Sequence, residues 1–277
     1  MRRIVFRLLI ATWLSLGLTQ AQDDVSPAIG VTFLQIDDAT RGIMEQWPPS
    51  PLDIAVVFLN LQTQQPKVVS VVTPLAWPDL ESKQLQVLQK QIAKLPVLAG
   101  MVLDANAVTS ATSEDLQDFA RISSEGAPET LPSFMSVANR PSEDLCLASQ
   151  LGFTEIDFGS LIEFSDDGFA LSVIARSESG ELLISLPLLT ACKALEIELD
   201  SIQWSNDGEL ILTEALRLPL DAQGRLKVLW ELESTLKNVT VESISPTSDD
   251  PMPVSDMLHQ QCVVFGYDDD RSKQFPR

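Results

Sequence analysis

Three short runs of branched and aromatic residues set the strongest limit on what this chain folds into. Residues 31–37 (VTFLQID), 67–72 (KVVSVV) and 97–103 (VLAGMVL) read as strands, and the last two are apolar enough to be covered on both faces. Residues 52–62 are dense enough in apolar side chains for a buried helix, and residues 79–94 carry Leu80, Leu85, Leu88 and Ile92 at helical spacing. Residues 38–47 have room for a short helix before the break Pro48-Pro49-Ser50-Pro51. Strand, helix, strand, helix, strand is the order of a parallel sheet with right-handed crossovers.

The pattern changes after residue 104. Residues 106–132 are polar, with one helix expected near 113–122 and Ser113 as its N-cap. A short strand is expected at 134–137 and a short helix at 143–150. From Gly152 onward, strand-like runs at 153–158 and 169–176 are separated by Asp166-Asp167-Gly168, and Ser179-Gly180 marks the next turn. Residues 182–199 include a buried helix with Cys192. Asn206-Asp207-Gly208 separates 201–205 from 209–213, and Asp221-Ala222-Gln223-Gly224 separates 216–220 from 225–230, both as hairpins. Residues 232–258 read as polar loop, and 261–267 as a closing strand. The expected fold class is α/β: a mainly parallel sheet flanked by helices, with antiparallel hairpins in the C-terminal half.

Residues 1–21 read as an address rather than as structure. Arg2, Arg3 and Arg7 precede the uncharged run 8–18, and Thr19-Gln20-Ala21 ends on a small residue, the three-part form of a secretory signal peptide. Eleven residues are too few to span about 30 Å of hydrocarbon, which favours cleavage over an uncleaved anchor. Residues 22–277 are then expected as a single α/β domain, periplasmic or secreted, with no stable membrane insertion. Cleavage takes three positive charges from a net −20 and leaves −23. Such a charge repels phosphate and argues against nucleic acid or an anionic membrane as partner.

Catalytic equipment is sparse. His259 is the single histidine, and no nucleophile elbow, phosphate loop or histidine pair is present, so no catalytic residue, metal or cofactor is assigned. Cys192 and Cys262 each sit inside an apolar run and read as buried core positions; with Cys146 the count is odd. Ligands of open α/β sheets bind at the carboxyl ends of strands, which singles out Asp37 and Asp38 after the first strand and Asp104 and Asn106 after the third. The competing reading of such carboxylates is a helix cap or a tie on loop backbone. Asp249-Asp250 and Asp268-Asp269-Asp270 lack the alternating spacing of calcium ligands, and Asn238-Val239-Thr240 fits a glycosylation sequon.

Several segments together resemble a known family. These are 34–40 (LQIDDAT) with Trp47-Pro48 after it, 66–71 (PKVVSV), Gly152-Phe153, Asp167-Gly168 and Leu186-Pro187-Leu188. Leu218-Pro219-Leu220-Asp221 with Gly224-Arg225, and Cys262-Val263-Val264-Phe265-Gly266 with Asp270 and Pro276, complete the set. In this order they are similar to CHASE domains of type two, the extracellular sensory domain of bacterial cyclases and histidine kinases, over residues 31–276. The second strand departs from the family by running into Val72-Thr73-Pro74-Leu75, and the basic residue that usually follows Trp-Pro is missing from Pro48-Pro49-Ser50-Pro51. The resemblance implies a non-catalytic sensor that recognises a small molecule or an envelope signalling protein, without the transmembrane helices and output domain of family members. Two rival readings are an exported hydrolase working through carboxylates alone and a structural or scaffolding envelope protein.

Overall fold

The computed structural model describes residues 30–36, 41, 47–77, 82–138, 140–141, 143–156, 159–165, 168–229, 237–240, 244 and 258–266. The fold is α/β, with a mainly parallel sheet, helices, and antiparallel sheets in the C-terminal half. Two compact units divide the described residues. The first is drawn from Gly30–Gly100, Asn139–Gln150 and Leu236–Arg277, and the second from Met101–Ala138 and Leu151–Thr235.

The first unit opens with strand β1 (Val31–Gln35), whose first four residues are all buried. Helix α1 (Pro51–Gln64) starts where the sequence has every starting signal. Proline fills the first turn, where its missing N–H costs nothing, and Ser50 caps the helix. The Ser50 backbone N–H donates to Asp53 Oδ2 at 2.8 Å while the Asp53 N–H donates to Ser50 Oγ at 3.2 Å, a reciprocal capping box. Gln65 ends the helix in the left-handed region, and Pro66 prevents its continuation. Strand β2 (Val68–Val71) is buried at all four residues. Helix α2 (Ser82–Ile92) buries Leu85, Leu88 and Ile92, the spacing expected of it. Strand β3 (Val97–Asp104) begins in this unit and passes to the other after Gly100.

Among the described residues, the strands of this unit pair in parallel. Cys262–Gly266 pairs with β1 on one side (Phe33↔Val264) and with β2 on the other (Val264↔Ser70). Lys237–Thr240 flanks β1, and β2 flanks β3. One face of this sheet, with Leu34, Val69, Val71, Val97, Val263 and Phe265, packs against Ile54, Val57, Phe58 and Leu61 of α1 and against the buried residues of α2. Phe58 meets Phe265 edge to face, with ring centres 6.1 Å apart.

The second unit is mostly antiparallel. Ile162–Ser165 and Gly168–Ser172 form a hairpin that extends to Arg225–Leu229. Ile174–Ser177 and Leu182–Ile184 form another, turning through Gly180 at φ 89°. Gln203–Trp204, Leu210–Ile211 and Arg217–Leu218 form a small meander. Helix Leu186–Ala194 is buried at every residue except Lys193, and Cys192 lies inside it as expected.

Two local expectations fail and a third holds only in part. No helix forms at 113–122. Residues 113–118 are turns and Arg121–Ile122 is a strand. The local cap belongs to Thr112, whose N–H and hydroxyl both donate to Asp115 Oδ2 at 2.8 Å. Within those turns Leu116 alone is buried, too little apolar surface to hold an amphipathic helix down. The turn expected at 221–224 forms, with the Asp221 N–H donating to the Arg225 carbonyl and the Gly224 N–H to the Asp221 carbonyl, both at 2.9 Å, but its ladder stops at one bridge, Leu220↔Leu226, because Arg217–Leu218 pairs with Leu210–Ile211 and Arg225–Leu229 with Gly168–Ser172. The polar stretch 232–258 holds a strand, Lys237–Thr240, that its composition does not announce.

Candidate functional site

The carboxyl ends of β1 and β2 in the first unit are where an open parallel sheet offers a site. The chain there is rich in tryptophan and proline. The Trp47–Pro48 peptide is cis, and Trp47 and Trp77 are half-buried against the core. Trp77 Nε1 donates to the Pro49 carbonyl at 3.1 Å, which ties the segment after β2 to the entry of α1. The Arg41 guanidinium carbon lies 4.5 Å from the Trp47 ring centre, a cation–π contact. The Val72 N–H donates to the Phe265 carbonyl at 2.9 Å, which joins the end of β2 to the end of the neighbouring strand. The positive end of the α1 dipole is already satisfied by Asp53 through the capping box.

The residues singled out from sequence fall as follows. Asp37 and Asp38 lie outside the described residues, as do Asp249, Asp250 and Asp268 to Asp270. Asp104 ends β3 half-buried, and its Oδ1 accepts the Asn106 N–H at 2.9 Å while its carbonyl accepts the Met135 N–H at 2.9 Å. The two residues are therefore brought together, with the carboxylate tying its own loop. Asn106 is exposed. His259 is exposed in a turn. Among the described residues no three His, Cys, Asp or Glu side chains come together in a metal-holding group.

Cys192 and Cys262 are fully buried, as expected, and Cys146 is buried as well; none of the three is in a disulfide. Burial, outweighing the nearby charge of Lys193, pushes the Cys192 thiol up to about 12, and burial, outweighing Lys67, does the same for Cys262. At neutral pH both are protonated and unreactive. The sequence reading missed Trp77 and Arg41 as neighbours of the Trp47 segment. A signal was present: Trp-Pro occurs twice, at 47–48 and 77–78, each time after a strand of the parallel set.

No family model matches the chain, and neither a curated protein nor a solved structure does. Among the described residues no helix is long and apolar enough to cross a membrane.

Proposed function

We propose that the chain is an exported, non-catalytic sensor-type module of the CHASE type-two kind, recognising a small molecule or an envelope protein in bacterial signalling. The observation that carries the reading is the position of the Trp47-Pro48 segment. It belongs to the opening block of the resemblance, and it sits with Trp77 at the carboxyl ends of parallel strands, where sheets of this class take ligands. Aromatic faces with a few oriented polar groups suit recognition. The protonated, buried thiols do not suit turnover.

A thermal-shift screen of the protein from residue 22 onward, against a broad metabolite set, tests the proposal. A ligand bound only by the native state adds about 2.7 kcal/mol at a hundred times its dissociation constant. For a true ligand, Asp37→Ala weakens binding far more than it lowers the melting temperature, and ligand addition quenches the emission lost in Trp47→Phe. Hydrolysis of a glycan or ester that a single carboxylate substitution abolishes would overturn the reading. Intact mass tests export: the exported form should begin at Gln22, and retention of residues 1–21 in the membrane fraction would make that segment an anchor.

A further inference from the structure

The first unit carries an unusual pair of helix faces. On α1 the residues turned to solvent include Leu52, Val56 and Leu59, which are 43%, 57% and 50% exposed, followed by Thr63. Their spacing of four, three and four is the seam of a helix prepared for another helix. The opposite face of α1, with Ile54, Val57, Phe58 and Leu61, is the one buried in the core, so this second apolar stripe does not serve the fold. On α2 the same spacing gives Lys83, Val87 and Lys90, and Lys94, in the turn past the helix end with its Nζ donating to Gln91 Oε1 at 3.2 Å, continues it; all four are exposed, with Val87 at 40%.

The two helices lie side by side. Gln62 Nε2 donates to Gln91 Oε1 at 2.8 Å, and Leu59 and Val87 fall one turn before that bonded pair on their respective helices. At about 100° per residue, Val87 lies on the α1 side of its stripe and the lysines lie beyond it. The result is an apolar strip from α1 to Val87, bordered by a basic row. Residues 82–95 contain three lysines and no acid, although Asp79 and Glu81 precede them in the sequence, and the single charge in α1 is Asp53, held in the capping box. On a chain of net charge −20 this is a local reversal of sign.

We propose that the α1–α2 face is a docking site for an acidic amphipathic helix of another protein. Its apolar row would lie along Leu52, Val56, Leu59 and Val87, and its carboxylates would meet Lys83, Lys90 and Lys94. Charge complementarity selects this occupant. Two copies, each at −20, also repel each other, as would an anionic bilayer. The proposal stands independently of a ligand at the carboxyl end of the sheet, and the two fail separately.

The test uses a designed helical peptide with leucines spaced four, three and four and an adjoining glutamate row, and a twin with lysines in place of the glutamates. The whole exported protein is titrated with each. The glutamate peptide should bind and the lysine peptide should not. Val56→Asp with Leu59→Glu, both at exposed positions, should weaken binding by at least about tenfold at an unchanged melting temperature. Lys83→Glu, Lys90→Glu and Lys94→Glu combined should reverse the preference, so that the lysine peptide binds. Equal binding of both peptides, binding of neither, or indifference to the stripe variants overturns the proposal. So does cosedimentation with phosphatidylglycerol vesicles, or concentration-dependent dimerisation, that the Val56→Asp, Leu59→Glu variant abolishes.

Discussion

Gly152→Ala would place a methyl carbon 2.8 Å from Leu186 Cα, 2.9 Å from Leu186 N and 3.2 Å from the Ser185 carbonyl carbon. All three obstacles are backbone, and none can swing aside as a side-chain tip can. The Ser185 N–H donates to the Val173 carbonyl at 2.9 Å, the Leu189 N–H donates back to the Ser185 carbonyl at 2.9 Å, and Phe153 bridges Ser185 directly. The junction is pinned on both sides, so the clash must be relieved by moving a strand away from a helix start. Overpacking a core costs about 1–3 kcal/mol, and a rigid backbone obstacle places this change near 3. For a chain of this size that lowers the melting temperature by roughly 6–12 °C. Gly180→Ala is the control. Its φ is 89° but nothing lies within 4 Å of the added methyl, so it bears only the conformational cost of roughly 1–2 kcal/mol. Urea and thermal denaturation followed by circular dichroism on both variants decide the matter. A Gly152→Ala protein that melts within about 2 °C of wild type, or one more stable than Gly180→Ala, would refute the close-approach argument.

Other expectations follow from named contacts. Ser50→Ala opens the capping box of α1 and should cost about 1 kcal/mol, read as a lower urea midpoint at constant slope. Cys192 and Cys262 should resist a thiol reagent until the protein is denatured. Because their folded values of about 12 exceed the ordinary 9.0, stability should be lost as pH rises from 9 toward 12, measured by alkaline denaturation; early labelling of the native protein would refute their burial. Burial pushes the Asp221 carboxyl up, but the N–H groups of Arg225 and Gln223 and the Arg225 guanidinium, 2.7 Å away, together hold it below its usual range. Its contribution is therefore present at neutral pH and lost as pH falls, and Asp221→Asn should flatten the acid limb of the stability profile.

The parallel half of the fold was legible because each element announces itself locally. Val68–Val71 is a branched run, Leu85, Leu88 and Ile92 keep helical spacing, and Ser50, Pro51 and Asp53 spell a helix start. What stayed hidden depends on distant partners. Lys237-Asn238-Val239-Thr240 is a strand because β1 offers it a parallel edge, and no feature of those four residues says so. Leu218 and Arg225 looked like two sides of one hairpin, yet each found a better partner elsewhere in its unit. Of the expected site, Asp104 and Asn106 were correctly placed at a strand end, but which atoms the carboxylate holds is a matter of loop geometry that spacing does not encode.

The strand Cys262–Gly266 lies between β1 and β2, so the middle of this sheet is supplied by residues about 200 positions downstream of its neighbours. Until those residues leave the ribosome, β1 and β2 have no strand to join them, and Phe58 lacks Phe265, the aromatic ring it packs against. The parallel sheet thus cannot be completed until residues 262–266 have left the ribosome. For a chain proposed to be exported, this delay is useful, because a translocation channel threads unfolded polypeptide. Until then β1 and the valine-rich β2 lack the strand that joins them, and unpaired apolar edges of this kind are the surface that chaperones hold.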